Sequence, residues 1–279
     1  MQDGGARQMN EPMIQLENLH ISYGRAAAVR GLSLDIARGE IFGLLGPNGA
    51  GKSSTLACIQ GLRAPTAGGV RVDGYDVSRD AARIKPFLGV QLQHAALFPE
   101  LTAAQLVRLF AALYNQFPSA DEIAALLRRF GLAQKAAMRP NQLSGGQRQR
   151  LALLLAVVND PRLVLLDEPT TGLDPQARHG VWSLIRQLRG EGRTVVLTTH
   201  AMEEAQELCD RVGIIERGQL IALGTPQELI RRYAPPLPPE LAARRQPHLE
   251  DVFLALTGRG LSDDADEADM LADGISLAD

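Results

Sequence analysis

The run Ile41-Phe42-Gly43-Leu44-Leu45 leads straight into Gly46-Pro47-Asn48-Gly49-Ala50-Gly51-Lys52-Ser53-Ser54, "IFGLLGPNGAGKSS". An apolar run this short, opened by Glu40 and closed by a glycine–proline pair, predicts a buried strand over Glu40 to Leu45. The residues after Gly51, "KSSTLACIQ", contain no proline or glycine, and Gly61 is placed to end a helix. Strand, glycine-rich turn and helix form the setting in which G-x-x-x-x-G-K-[ST], filled by Gly46, Gly51, Lys52 and Ser53, cradles phosphates. Glycines let backbone N–H groups close around phosphate oxygens, and the helix N-terminus adds partial positive charge. Pro47, Asn48, Gly49, Ala50 and Ser54 complete the loop. Lys52 would reach the β- and γ-phosphates, and the Ser53 hydroxyl would hold Mg²⁺. A loop that merely turned the chain would need no Lys-Ser pair after its last glycine. The stretch reads as a nucleoside triphosphate site.

Two further stretches extend that site. "RLVLLDEP" (162–169) is an apolar strand that ends on two adjacent carboxylates. Asp167 would hold Mg²⁺, directly or through water, and Glu168 would polarise a water for in-line attack on the γ-phosphate. In "LSGGQRQRL" (143–151), Ser144-Gly145-Gly146 opens a helix. Two readings stand: a second anion site, or an ordinary helix N-cap by Ser144. One nucleotide does not need two phosphate cradles. If each chain carries both, a dimer could set each triphosphate between one chain's loop and the other chain's Ser-Gly-Gly.

With these motifs in order, the sequence resembles the ATP-binding cassette ATPases, the motor subunits of ABC transporters. LSGGQ (Leu143 to Gln147) is that family's signature, Gly46 to Ser53 matches its Walker A loop and Val164 to Glu168 its Walker B strand. The resemblance implies further roles. Tyr23 falls where the family stacks an aromatic on adenine. Gln93 falls at the glutamine that contacts metal and attacking water and faces the permease; Gln91 is a rival, but the spacing to "LFPELT" favours Gln93. Asp174, in Gly172-Leu173-Asp174, matches the D-loop. His200, ending "TVVLTT", matches the switch histidine. Ser144, Gly145, Gly146 and Gln147 would act on the partner chain's nucleotide. His20, His94, His179 and His248 have no motif around them and read as surface or capping residues.

Strand and helix alternate from residue 147 to residue 216, which predicts an α/β sandwich around a largely parallel sheet. The resemblance specifies this further. It implies a phosphate-loop NTPase of the ABC type, with a RecA-like core on the parallel sheet, an antiparallel β subdomain and an inserted helical subdomain. The nucleotide-binding domain is expected over 13–230, after a flexible tail at 1–12, with the helical subdomain at about 94–159. In that subdomain Leu106, Leu109, Phe110 and Leu113 share helical spacing. Residues 231–259 hold a proline-rich connector, "YAPPLPPE", and a helix whose Leu249, Val252, Phe253 and Leu256 form one apolar face. The wording of that helix is similar to the closing segment of cassettes serving drug, antibiotic and lipid efflux. Those relatives usually carry a longer, partly β-structured stretch before it, which leaves the substrate open.

The chain of 279 residues carries a formal charge of −3. Residues 260–279 hold seven acids and no Lys or Arg, so setting that −7 aside leaves +4 for residues 1–259. The tail reads as disordered and solvating. The remainder is too weakly basic for a nucleic-acid footprint. No apolar run approaches the ~20 residues that span a bilayer, and no secretory signal opens the chain. Cys58 and Cys209 are isolated and read as small buried thiols. The expectation is a cytoplasmic ATPase, held at the inner face of the membrane through separate permease subunits. It would dimerise around two ATP–Mg²⁺, with export as the first reading. An importer motor and a permease-free cassette are the rivals, whereas a small GTPase lacks its Asn-Lys-x-Asp guanine reader. The segment "QHAALFPELT" (93–102) offers Leu97, Phe98 and Leu101 either as a docking surface or as packing beneath the subdomain.

Overall fold

The structure is a computed structural model that describes residues 11–92 and 97–258. The expectations for the first ten residues, for Gln93 and His94, and for the acidic tail fall outside the described residues.

In chain order, β1 (Ile14–Tyr23) and β2 (Ala26–Ile36) form a hairpin, followed by β3 (Ile41–Leu45), α1 (Lys52–Ile59), β4 (Ala67–Val72) and β5 (Tyr75–Asp76). Next come α2 (Val77–Ile84), β6 (Leu88–Gln91), α3 (Ala103–Leu113), α4 (Ala120–Arg129) and α5 (Gly145–Ala156). The chain then alternates through β7 (Leu163–Asp167), α6 (Pro175–Gly190), β8 (Thr194–Thr199), α7 (Met202–Leu208), β9 (Arg211–Glu216) and β10 (Gln219–Gly224). It closes with α8 (Pro226–Tyr233), a single turn α9 (Pro239–Ala242) and α10 (Leu249–Thr257).

Two sheets result. One, in the order β2-β1-β4-β5, is antiparallel; the other runs β10-β9-β3-β8-β7-β6 and is parallel apart from the hairpin partner β10. The central strands are buried on both faces, which is why β3 and β7 read as near-continuous apolar runs and β8 adds only threonines to its valines and leucine. Side chains alternate across them. Ile41, Leu45, Val164, Leu166, Val195 and Leu197 face the core shared with the inserted helices, α6 and α10. Phe42, Leu44, Leu163, Leu165 and Val196 face a second core shared with α1 and the antiparallel sheet. The carboxyl ends of β3, β7 and β8 therefore finish side by side, at Leu45, Asp167 and Thr199.

The inserted helices depart from one expectation. Helix α3 buries Ala103, Leu106, Val107 and Ala111, while Leu109 and Leu113 point outward, Leu113 being 71% exposed. "AAQLVRLFAAL" is apolar around most of its circumference, so spacing alone could not choose its face. The packing against α4 and α5 chose it.

Helix α10 packs on α7 and α8 of its own chain, with Leu249, Val252 and Phe253 buried and Leu256 partly so. Its start is held by Asp251, whose carboxylate accepts from the His248 N–H (2.9 Å) and from both ends of the Arg245 guanidinium (2.6 and 2.7 Å). The Arg245 partner holds the Asp251 carboxyl down at about 2. Phe253→Ala should destabilise the chain by about 3–5 kcal/mol, the cost of emptying a buried aromatic site. Leu254→Ala, at a half-exposed position on the same helix, should stay within about 0.5 kcal/mol. Denaturant midpoints of the two variants check the contrast.

Candidate active site

The phosphate loop joins β3 to α1, and two of its glycines are required by close backbone approach. A Cβ at Gly46 would lie 2.2 Å from the Ile215 carbonyl oxygen. At Gly51 it would lie 2.5 Å from the Ala28 carbonyl oxygen, and φ there is +106°, left-handed space that favours glycine. Gly51 also occupies the N-cap of α1 without a side chain to cap it. The first N–H groups of that helix thus keep their capacity for an anion. The loop borders a cleft of about 340 Å³ lined by Ala28, Asn48, Gly49, Gly51, Lys52, Ser53, Ser54 and Glu168.

Lys52 is buried, and its Nζ donates to the carbonyl oxygens of Gly46 (2.7 Å) and Pro47 (3.0 Å). It lies 3.7 Å from Glu168 Oε1. Burial lowers its pKa from the ordinary lysine value, against the opposing pull of Glu168 and Asp167. Asp167 is buried at the end of β7, where its Oδ1 accepts from the Thr198 hydroxyl and from Ser53 Oγ at 3.2 Å. That pair supplies two hard oxygen donors, the chemistry that suits Mg²⁺. A cation bound there would complete its shell with phosphate oxygens and water.

Glu168 adopts a left-handed backbone (φ +49°), uncommon for a residue with a side chain. Its N–H donates to both the carbonyl oxygen and the hydroxyl of Thr198, at 3.1 Å each. This grip turns the carboxylate toward the loop. Its Oε2 accepts from Thr171 Oγ1 (3.0 Å) and lies 3.2 Å from His200 Nδ1. The His200 hydrogen bond, helped by Lys52, holds the Glu168 carboxyl at about 2, and in return Glu168 raises the His200 pKa. Held this low, Glu168 is ionised throughout the physiological range but weakly basic.

The structure thus brings Lys52, Ser53, Asp167, Glu168 and His200 together, on three neighbouring strand ends. Tyr23, at the end of β1, reaches the same loop through its hydroxyl, 3.3 Å from Ser54 Oγ. The signature residues lie elsewhere. Ser144 Oγ accepts from the Gln147 N–H (3.3 Å) and Gln147 Oε1 from the Ser144 N–H (3.0 Å), so the N-cap reading is realised. Ser144 and Gly145 are nonetheless exposed, while Gly146 is pressed against α6, where a Cβ would meet that of Ala177 at 2.6 Å. Asp174 caps α6 by accepting from the Ala177 N–H at 2.9 Å. Neither Asp174 nor Ser144 to Gln147 lines the phosphate-loop cleft of the same chain. Sequence reasoning passed over Thr198 and Thr171. The strand "TVVLTT" holds three threonines, so nothing local singled out Thr198, and nothing marked Thr171.

Comparison with known proteins decides the family. The profile described as "ABC transporter" matches residues 29–171. The Nod factor export ATP-binding protein I of Paraburkholderia xenovorans is 45% identical over 226 residues, covering 80% of this chain and 74% of that protein. This chain belongs to the ABC transporter family. It is also 39% identical over 222 residues to the linearmycin resistance ATP-binding protein LnrL of Bacillus subtilis, covering 79% of this chain and 71% of LnrL. Among solved structures it resembles the dimeric bacterial ABC transporter cassette MJ0796, with a TM-score of 0.69 and 32% identity over 76% of this chain and 98% of that one. The α/β core with its parallel and antiparallel sheets is that of an ABC ATPase cassette.

The Glu168–His200 pair has a checkable titration. Glu168 is depressed from its ordinary 4.5, so its contribution to stability is present above that value and is lost as pH falls through about 2. His200 is raised from its ordinary 6.5, so its contribution is full below 6.5 and is lost as pH rises through the raised value. Glu168→Gln should therefore bring the His200 midpoint back to 6.5 or below, read by NMR of the ring protons. An unchanged midpoint would mean that the pair does not form in solution.

Proposed function

We propose that this chain is the ATP-hydrolysing subunit of an exporter. It dimerises around two ATP–Mg²⁺ and passes the resulting motion to a separate transmembrane permease. The observation that carries this reading is the division of the site: a complete phosphate-loop half in one cleft, and an exposed Ser144-Gly145 helix start outside it. The dimeric form in which MJ0796 has been solved supports the pairing, and the export and resistance names of the relatives support the direction of transport. None of the described helices is long and apolar enough to cross a membrane.

In this reading the loop N–H groups and Lys52 hold the triphosphate, with the base against Tyr23. Ser53 and Asp167, with Gln93, hold Mg²⁺, which supplies charge neutralisation on the phosphate oxygens. Glu168 orients the attacking water. Its pKa of about 2 makes positioning, rather than strong basicity, its contribution in this arrangement. Ser144 to Gln147 and Asp174 of the partner close the far side. Catalysis rests on alignment and charge stabilisation.

Glu168→Gln tests this directly. It should retain ATP binding, lower hydrolysis by about 10²–10⁴-fold and accumulate an ATP-dependent dimer in light scattering. Adding Ser144→Arg to that variant should abolish the dimer. Near-normal turnover would place the base elsewhere, and a dimer indifferent to Ser144→Arg would sink the cross-chain site.

Coupling to the permease is assigned to an apolar groove between β6 and α3. Val90, Leu92, Phe98, Leu109, Phe110 and Leu113 line a hollow of about 450 Å³, which adjoins one of about 790 Å³ reaching Leu62. Leu97 and Leu101 pack partly into the core, whereas Phe98 is half exposed. Leu97 and Leu101 thus pack beneath the subdomain, and the exposure of Phe98 supports a docking role for that residue. The groove suits a short helix with an apolar face, carried by the permease on its cytoplasmic side. Phe98→Asp should spare basal ATP hydrolysis while abolishing membrane recruitment and transport. Recruitment that survives in a folded variant counts against the groove. If no membrane partner co-purifies at all, a permease-free cassette is the better reading.

A further inference from the structure

One contact of Tyr23 is unused by the site described so far. The Arg63 guanidinium lies over the Tyr23 ring, 3.8 Å from its centroid. Its Nη2 donates to the Ser22 carbonyl oxygen at 2.5 Å. Arg63 is itself fixed by α1. Its N–H and that of Leu62 both donate to the Ala57 carbonyl oxygen (3.2 and 3.0 Å), in the turn that closes the helix after Gly61. The chain beyond it is pinned to β1, since the Thr66 N–H donates to the His20 carbonyl oxygen (2.7 Å) and Thr66 Oγ1 accepts from the Ser22 N–H (3.0 Å). Tyr23 is thus gripped from two sides by one element: Ser54, in the first turn of α1, at its hydroxyl, and Arg63, just past the last turn, on one ring face.

A nucleoside triphosphate poses a register problem here. Its phosphates would bind at the N-terminus of α1, which packs between the two sheets, while Tyr23 sits at the far end of β1 in the antiparallel sheet. Any play between the two costs affinity, because the base can stack only where the ring is already placed. With one face covered by the guanidinium and the residue still 49% exposed, the opposite face is left for the base.

We propose that Arg63 is a positioning residue for the nucleotide base, locking the Tyr23 ring at a fixed distance from the phosphate loop. The proposal rests on the reading that Tyr23 stacks the base. Because Arg63 acts through a π-face and makes no edge-on contact with the base, it should support adenine and guanine alike.

The test compares ATP, GTP and inorganic tripolyphosphate by titration calorimetry on Arg63→Ala, Arg63→Lys, Tyr23→Ala and the double alanine variant of the full chain. Arg63→Ala should raise the Kd for ATP and GTP together by about two- to tenfold, the range of an exposed to partly desolvated cation–π contact. It should raise KM for ATP while kcat holds, and leave tripolyphosphate binding unchanged. Arg63→Lys should recover part of the loss, and the double variant should match Tyr23→Ala. Parallel weakening of tripolyphosphate would overturn the proposal in favour of a general support of α1. Tighter ATP binding in Arg63→Ala would overturn it by showing that the guanidinium holds the base's place. A loss in the double variant beyond that of Tyr23→Ala would show Arg63 touching the nucleotide itself. If Tyr23→Ala alone leaves ATP binding intact, the stacking reading fails and the proposal with it. If Tyr23→Ala weakens ATP and Arg63→Ala does not, only the role of Arg63 falls.

Discussion

Asp167 and Thr198 hold the site together. The Thr198 hydroxyl donates to Asp167 and, with the carbonyl of the same residue, accepts from the Glu168 N–H. One residue of β8 thereby fixes both carboxylates that end β7. Ser53 Oγ, donating to the same Asp167 oxygen, ties α1 and its loop to them. These strands are neighbours only because the sheet order places β3 beside β8 and β8 beside β7. Slipping either pairing by one residue would turn Asp167 into a core and its apolar neighbours toward the cleft.

The electrostatics follow from that placement. Lys52, Asp167 and Glu168 are all at least nine-tenths buried, a costly arrangement unless each charge meets opposite charge or hydrogen-bond donors and acceptors. Glu168 draws on Lys52, His200 and Thr171; Lys52 draws on two loop carbonyls as well as the carboxylates. The consequence is a cleft poised for a polyanion. In the proposed function a triphosphate would compete with the loop carbonyls and with Glu168 for the Lys52 ammonium group. Glu168, in strained left-handed backbone geometry, sits where such strain is tolerated because neighbours over-determine it.

Much of this was legible in the chain. The loop, the two carboxylates and the Ser-Gly-Gly helix start are contiguous, and each meaning is local: a glycine that permits close approach, a strand that ends on charge, a hydroxyl that can cap. The buried strands 163–167, 194–199 and 211–216 were readable because strands covered on both faces are apolar over most of their length. The elements that escaped were β6, β10, α2, α8 and α9, short segments whose patterns gain meaning only beside their neighbours. Thr198 and Thr171 escaped for a related reason, since a threonine in a strand or turn is ordinary until its partner is known.

Sequence alone determined which functional groups this chain carries and in what order. Residues Gly46 to Ser53, Asp167-Glu168, Ser144 to Gln147 and His200 carry their functional groups whatever their surroundings, and their order along the chain resembles one family. Tertiary structure decided which of them share a cleft and which do not. It set Lys52, Ser53, Asp167, Glu168 and His200 together, left Ser144 to Gln147 and Asp174 outside the phosphate-loop cleft, and chose the outward face of α3 that forms the apolar groove. It also placed Arg63, unremarkable in "GLRAPT", over the ring of Tyr23. The physical reason is distance. Hydrogen bonds, ion pairs and ring contacts act over a few ångströms between residues up to a hundred or more positions apart, as Ser53 and Asp167 are. Only the packing of both sheets on their shared cores brings such residues within reach.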